Sequence, residues 1–257
     1  VVHIADPNPY RCQFGGQTPE ECAELCANSL EEAILFHSPE SVSAFIAETV
    51  SQPLGGVVPG PGYFQRIREI CDKYGVLLIF DEVQVGMGRT GTLFAHEQED
   101  VIPDVMTLAK ALGGGIPIGA MCTTRELSRA LVAGTHASTF GGNPLACAVA
   151  SAVLDELLEG GVLGHAKSMG ERLGDGLEAI AAEAGPDKIR GVRGRGLLRG
   201  LALHEAPSSV IEGCRDLGLL VISAGDNVVR LAPPLTISAD EIDQGLALLR
   251  EVLLADN

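Results

Sequence analysis

Two charged residues in apolar surroundings, Asp81 and Lys110, are the groups in this sequence best suited to chemistry. Asp81 ends the apolar run Val76–Phe80, and Lys110 stands within the apolar segment Val105–Leu112. An ion removed from water needs a partner, because its desolvation is otherwise too costly. Desolvation also makes an amine a better nucleophile toward carbonyls. The pair therefore predicts a bound cofactor, and a surface lysine with an apolar stem is the alternative for Lys110.

The segments around Asp81 predict a parallel α/β sheet. Val76–Phe80 lacks polar alternation, which is typical of a parallel strand buried on both faces. Val42–Ala47 is predicted to be a strand and Tyr63–Tyr74 a helix, so the order strand, helix, strand indicates a βαβ unit. Ligands of such sheets bind at the carboxyl ends of the strands, where Asp81 lies.

The remaining elements follow from similar patterns. Strands are predicted at Val1–Ile4, Asp104–Ala109, Pro117–Thr123, Ile189–Val192, Gly196–Leu203, Leu219–Ile222 and Val228–Leu231. Helices are predicted at Glu20–Phe36, Arg125–Val132, Pro144–Glu183 with a break at Gly160-Gly161, Pro207–Leu217 and Ala239–Leu254. The break predicts a domain boundary, with a larger domain at 1–160 and a small α/β domain at 161–257.

Four motifs occur in a fixed order around the two charged residues. They are Asp81-Glu82-Val83-Gln84, Gly86-x-Gly88-Arg89-Thr90-Gly91, Ala109-Lys110-Ala111-Leu112-Gly113-Gly114-Gly115 and Thr139-Phe140-Gly141-Gly142-Asn143-Pro144. With the ending Asn227-x-x-Arg230-Leu231-x-Pro233-Pro234-Leu235, the sequence from about Val42 onward resembles the class III aminotransferases. The resemblance implies the pyridoxal-phosphate-dependent transferase fold of type I. The chain would hold the C-terminal part of its large, mostly parallel cofactor domain and the small α/β domain.

The resemblance also implies a role for each residue that matches the family motifs. Lys110 would form an aldimine, a Schiff base, with pyridoxal 5′-phosphate and later move the substrate proton. Asp81 would pair with the pyridinium nitrogen of the cofactor. Val83 would pack on one face of the ring, and Gln84 would lie near its 3-oxygen.

Residues farther along the chain would complete the site. Thr139, beside Ser138, would bind the cofactor phosphate, and in the family this residue comes from the second subunit of a homodimer. The alternative is that these residues form an ordinary helix cap. Arg230 would clamp a substrate carboxylate, the alternative being an edge-strand arginine paired with a surface acid. Glu48 matches a substrate-binding glutamate, and a hydrogen-bonding strand terminus is equally compatible with its position.

The expected reaction is transfer of an amino group from an amino acid or ω-amine to a 2-oxo acid. In the acetylornithine, ornithine and 4-aminobutyrate branches a second glutamate pairs with the carboxylate-binding arginine, and here Pro53 occupies that position. Its absence favours an amine or ω-amino acid donor with pyruvate or glyoxylate as acceptor, whereas the C-terminal motifs favour the acetylornithine branch. A lyase or aminomutase on the same scaffold would use the same residues. Family members carry an N-terminal portion before the segment that begins here, so an inactive truncated fragment is a further alternative.

Composition limits the partners. The net charge of −16 disfavours nucleic acid and anionic membranes. The sequence has no signal-peptide pattern and no apolar run long enough to span a bilayer. Seven cysteines, an odd number, favour reduced thiols and a cytoplasmic location. Cys12, Cys22 and Cys26, with His37 beyond, come nearest to a zinc motif, but they lack a CxxC pair, so no metal site is predicted.

Overall fold

The structure has two units, each built on its own sheet. The computed structural model describes residues 1–255. The first unit comprises residues 1–49, 58–87 and 94–155, and the second comprises residues 50–57, 88–93 and those from Glu156 onward. The main division lies at Asp155 and Glu156, within a helix, whereas the boundary expected from the sequence follows Gly160. Residues 50–57 and 88–93 also join the second unit, and their local sequence does not indicate this.

A four-stranded sheet forms the centre of the first unit. Its strands, in spatial order, are β1 (Ala44–Ala47), β2 (Leu77–Asp81), β3 (Val105–Leu108) and β4 (Ala120–Thr123). β1, β2 and β3 run parallel, and β4 is antiparallel to β3. The strands lie where the sequence predicts them, and the mostly parallel sheet of an α/β fold is confirmed.

Two helices of the first unit, α1 (Pro19–His37) and α2 (Tyr63–Tyr74), share one core with the inward-facing residues of β2. The hydroxyl of Thr18 caps α1 by accepting a first-turn N–H at 3.2 Å. α2 ends at Gly75, whose φ of 67° is in the left-handed region that favours glycine. Both helices lie where the sequence predicts them.

β2 is covered less completely than its sequence predicts. Leu78 and Phe80 are buried, whereas Leu77, Ile79 and Asp81 are half-buried. Of the residues of β2, only Leu78 and Phe80 belong to the core formed with α1 and α2. The prediction of burial on both faces is therefore wrong for the described part of the chain, because an uninterrupted apolar run does not distinguish full from one-sided coverage.

Two short predicted elements are absent from the structure. Val1–Ile4 forms no strand, and Val1 and Val2 are exposed; only Ile4 packs against the core. Arg125–Val132 forms only the 3₁₀ turn Leu127–Ala130. Its side chains are mostly exposed, and a short helix without a buried face has little to stabilise it.

The second unit has an antiparallel sheet covered by helices. Its strands are β5 (Ile189–Arg195), β6 (Leu198–Leu203), β7 (Ile222–Ala224) and β8 (Val228–Leu231), in the order β5-β6-β8-β7. Four helices follow β4 in the chain: α3 (Pro144–Leu158), in which the two units divide, α4 (Val162–Ala184), α5 (Ser208–Asp216) and α6 (Ala239–Leu254). α4, α5, α6 and this sheet share a core, as expected for a small α/β domain. No helix within residues 1–255 combines the length and apolarity that a membrane span needs.

Candidate active site

Three polar residues lie at the carboxyl edge of the first unit's sheet. Glu48 directly follows β1, Asp81 ends β2, and Lys110 lies two residues after β3. β1, β2 and β3 are adjacent and parallel, so their carboxyl ends form one edge. This is the edge at which ligands of parallel sheets bind.

Lys110 points from this edge toward the segment after β2. Its Nζ donates a hydrogen bond of 2.7 Å to Oε1 of Gln84. Its backbone has a φ of 46°, in the left-handed region that a non-glycine residue adopts at a cost. The side chain is exposed, which corrects the expectation of a buried cation. The neighbouring Leu108 and Leu112 are buried, so the apolar run supplies the support while the amine projects out of it.

Asp81 is oriented by the backbone that follows it. Its Oδ1 accepts a hydrogen bond from the N–H of Val83 at 3.0 Å, the arrangement of an Asx turn. The N–H of Glu82 donates to the carbonyl of Thr107 on β3, which holds the turn against the next strand. Within residues 1–255, Oδ2 of Asp81 has no hydrogen-bond partner. The turn therefore leaves one carboxylate oxygen available to a ligand.

Glu82 is a structural residue of this edge that the sequence reasoning missed. It is 1% exposed, and its carboxylate accepts hydrogen bonds from the backbone N–H groups of Ala95 and His96, at 2.9 and 2.8 Å. Nδ1 of His96 lies 3.0 Å from the same carboxylate. One signal in the sequence indicates this structural role: Glu82 is a second acid, directly after Asp81, at the end of an apolar run. Glu82 therefore holds the backbone of Ala95 and His96 beside the end of β2.

Replacing Glu82 with glutamine should lower the free energy of unfolding by about 2 to 3 kcal/mol. The amide keeps the shape of the carboxylate, but its NH₂ group would face N–H donors that need an acceptor. Urea unfolding followed by circular dichroism measures the change. Glu97→Gln is the matched control, because Glu97 is exposed on the same 3₁₀ turn, and it should alter stability by less than about 0.5 kcal/mol. Equal effects of the two substitutions would contradict the assigned role.

Ser138 and Thr139 lie in an exposed turn before α3. Oγ of Ser138 accepts the N–H of Gly141 at 3.0 Å. The cap of α3 is instead Asn143, whose Oδ1 accepts the N–H of Ala146 at 2.9 Å. The alternative that Ser138 or Thr139 caps this helix is therefore wrong. Among the described residues, no hydrogen bond joins either hydroxyl to Lys110 or Asp81.

Arg230 lies within the second unit's sheet. It is on β8, paired with Gly200 of β6 on one side and Ile222 of β7 on the other, so it is not on an edge strand. Its Nε is buried without a hydrogen-bond partner, and burial lowers the pKa of the guanidinium. No ion pair involves it among residues 1–255. The alternative of an edge-strand arginine paired with a surface acid is therefore wrong.

The segment 50–57 lies against the same strands as Arg230. A Cβ on Gly200 would approach the carbonyl oxygen of Gly55 to 2.4 Å, so this crossing requires glycine. Pro53, which stands where the related branches have a glutamate, is part of the segment. The segment thus contributes no acid that could neutralise Arg230.

The glycine-rich loop 86–91 also belongs partly to the second unit. The guanidinium of Arg89 donates to the carbonyl oxygens of Leu197 and Pro233, at 3.3 and 2.5 Å, and burial lowers its pKa. The backbone N–H of Leu197 returns a hydrogen bond of 3.0 Å to the carbonyl of Arg89. The loop is therefore anchored in this unit through Arg89.

Comparison with known proteins identifies relatives over most of the chain. A family model described as aminotransferase class-III matches residues 2–253. The acetylornithine aminotransferase of Mesorhizobium japonicum is 46% identical over 224 residues, which are 87% of this chain and 55% of that protein. The acetylornithine aminotransferase of Vibrio parahaemolyticus is 43% identical, with coverage of 98% and 63%. The chain thus spans less than two thirds of the length of these relatives.

Solved structures show the same fold. An (S)-enantioselective omega-transaminase from Thermomicrobium roseum has a TM-score of 0.89 and 34% identity, with coverage of 98% of this chain and 59% of that chain. The ornithine aminotransferase of Toxoplasma gondii has a TM-score of 0.83 and 36% identity, with coverage of 89% and 54%. The expected fold type I is confirmed. With the family model matching nearly every residue, the chain belongs to the class III aminotransferases.

Proposed function

We propose that this protein is a transaminase that uses pyridoxal 5′-phosphate to move an amino group from an amino acid or ω-amine to a 2-oxo acid. The observation that carries this function is the 2.7 Å hydrogen bond from Lys110 Nζ to Gln84 Oε1. It holds a primary amine beside the segment that follows Asp81, at the ligand-binding edge of a parallel sheet. Membership of the class III family supports the same activity.

The groups at this edge fit the proposed cofactor. The amine of Lys110 is exposed and bonded to a neutral amide, and no carboxylate among the described residues lies within ion-pair distance of it. Asp81 offers a carboxylate oxygen that its own turn leaves without a partner. The aldehyde of the cofactor requires an amine, and its pyridinium nitrogen requires a carboxylate. Lys110 and Asp81, at the ends of adjacent strands, offer these two groups.

Each residue at the edge has a defined task in the proposed reaction. When bound, the cofactor supplies an aldehyde for amines and a ring that accepts an electron pair. Lys110 would hold the cofactor and, once displaced by the substrate amine, would carry the proton that leaves the substrate carbon. Asp81 would keep the ring nitrogen protonated. Val83 would contact the ring, and Gln84 would bind its oxygen substituent in place of the lysine amine.

The cofactor phosphate is assigned to Thr139, with Ser138 beside it. Residues 131–142 are all exposed, and Phe140 among them is 82% exposed. Leu131 and Val132 are also exposed apolar side chains, which favours a surface that contacts another chain. These features support a homodimer in which Thr139 serves the site of the partner subunit.

Arg230 is assigned to a substrate carboxylate, and Glu48 to a contact with the substrate at the end of β1. The unpartnered buried Nε of Arg230 supports this role, because a carboxylate would satisfy it. The acetylornithine aminotransferases among the relatives favour an amino acid donor. Pro53 in place of a neutralising glutamate favours an ω-amine, so a comparison of both donor classes is needed. Seven free thiols support a cytoplasmic location.

Replacing Arg230 with glutamine should raise KM for a 2-oxo acid by about 100-fold, because a bidentate charged contact is lost. The kcat should change little, since the carboxylate is bound in both ground and transition states. KM for an amine donor without a carboxylate should stay unchanged, which separates lost recognition from general damage. Arg215→Gln, at an exposed position of α5, is the control. An equal rise in KM for both substrates would contradict the assignment.

Reconstitution of the 257-residue protein with pyridoxal phosphate tests the function as a whole. We expect visible absorbance that borohydride fixes to the chain, and transfer of nitrogen from an amine donor to a 2-oxo acid. Release of ammonia without transfer would instead indicate a lyase on the same scaffold. Absence of both the absorbance and a ligand-dependent melting shift would overturn cofactor binding by this chain.

A further inference from the structure

Three thiols converge in the first unit. Cys22 and Cys26 lie one turn apart on the buried face of α1, and Cys12 approaches from the preceding loop. The three Sγ atoms lie within 4.8 Å of one another. The Sγ atoms of Cys22 and Cys26 are 3.9 Å apart. This cluster is independent of the proposed transaminase function.

The backbone holds the loop at this distance from α1. The Sγ of Cys26 donates to the carbonyl oxygen of Asp6 at 3.4 Å. A Cβ on Gly16 would approach the backbone nitrogen of Cys22 to 2.8 Å, so the close approach requires glycine. The spacing of the cysteines along the sequence does not indicate a metal motif, because Cys12 reaches the other two through this crossing of the loop.

The sulfur separations match a metal thiolate better than a helical disulfide. With metal–sulfur bonds of about 2.3 Å, two thiolates lie about 3.8 Å apart in a tetrahedral site and about 4.0 Å apart in a trigonal one. The 3.9 Å between Cys22 and Cys26 falls between these values. Residues four apart on a helix have Cβ atoms about 5 to 6 Å apart, whereas a disulfide needs about 3.5 to 4.5 Å.

The three thiols differ in their surroundings. A hydrogen bond from Cys22 lowers the pKa of the Cys12 thiol, and the backbone N–H groups of Phe14 and Gly16 act in the same direction. Burial raises the pKa of Cys22 well above its usual range, although Cys22 lies near the start of α1. Burial also raises the pKa of Cys26, to about 11.

We propose that Cys12, Cys22 and Cys26 bind one thiophilic d¹⁰ cation of the class of Zn²⁺, Cd²⁺ and Cu⁺. Binding forms three metal–sulfur bonds and releases up to three protons, with no change of oxidation state. Three soft thiolates select such a cation over Mg²⁺ or Ca²⁺. The bound ion ties the loop before α1 to the helix and so stabilises the first unit.

Cadmium titration of the full chain, monitored by thiolate-to-metal charge-transfer absorbance, tests the site. The background protein carries Cys122→Ser and Cys147→Ser, because these two exposed thiols would bind the probe on their own. We expect the absorbance to saturate at one Cd²⁺ per chain and the melting temperature to rise until a chelator is added. Cys12→Ser should weaken Cd²⁺ binding by at least about 100-fold, since loss of an outer partner alone costs up to that much.

Cys71→Ala is the matched control, because Cys71 is buried in the same core but is not part of the cluster. It should leave the Cd²⁺ stoichiometry and the absorbance unchanged. Cys12 is only partly buried, so its serine variant should fold, and circular dichroism checks this. Equal Cd²⁺ binding by the Cys12→Ser protein, or no saturation at one equivalent, would overturn the site. A disulfide within the cluster, seen as two missing free thiols in the untreated protein, would overturn it as well.

Discussion

The Lys110→Ala protein should lose amino transfer by about 10³-fold or more, because it lacks both the amine that holds the cofactor and the base that moves the proton. Borohydride should no longer fix the cofactor to the chain, and mass spectrometry of peptides measures this directly. The melting temperature should be nearly unchanged, because Lys110 is exposed and alanine meets the same left-handed backbone.

Two further variants separate the amine from its positive charge. Lys110→Arg keeps the charge but should be equally inactive, because a guanidinium does not deprotonate in a protein. Lys167→Ala, which removes an exposed lysine of α4, should retain full activity and the borohydride adduct. If Lys110→Ala still carried an adduct and the Lys167→Ala protein did not, the assignment of the cofactor lysine would be wrong.

End signals made several helices predictable from the sequence. Thr18 before Pro19 marked the start of α1, and Gly75 marked the end of α2. α6 also has the predicted bounds, and in the structure Ser238 and Glu241 form a capping box at its start. In each case the signal is local, because the residue satisfies backbone groups or adopts a φ within its own turn.

Features that depend on distant parts of the chain could not be predicted. The buried carboxylate of Glu82 has partners that follow it by 13 and 14 residues, and no periodic pattern connects them. The segments 50–57 and 88–93 join the second unit through close backbone crossings, such as Gly200 against Gly55. Lys110 is exposed and has a left-handed φ, and an apolar run encodes neither feature.

The sequence predicts which residues form the site, but it does not predict the contacts that these residues make. The positions of Asp81 and Lys110 at the ends of adjacent parallel strands follow from the βαβ pattern. The hydrogen bond from Lys110 to Gln84 could not be predicted, since it joins side chains 26 residues apart. The partner surface expected for Thr139 involves a second chain, which no pattern within one chain reveals.

Asp81→Asn should reduce amino transfer by about 10³-fold, because a neutral amide does not keep the cofactor's ring nitrogen protonated. The substitution is nearly isosteric, and Oδ1 of asparagine would still accept the N–H of Val83, so the turn should persist. Asp81→Ala would lose this turn as well, and it should be both inactive and less stable. The comparison of the two variants therefore separates the charge of Asp81 from its effect on the backbone.

A cofactor analogue with a methyl group on the ring nitrogen offers the sharpest test of this role. Its permanent positive charge does not depend on a carboxylate, so it should reduce the gap in activity between the Asp81→Asn and unmodified proteins. Asp100→Asn is the control, because Asp100 is exposed and has a φ of 51°, a conformation that asparagine adopts readily. Activity of Asp81→Asn within about threefold of the unmodified protein would contradict electrostatic stabilisation by Asp81. Loss of activity that the methylated analogue leaves unchanged would show that the carboxylate acts on something other than the ring nitrogen.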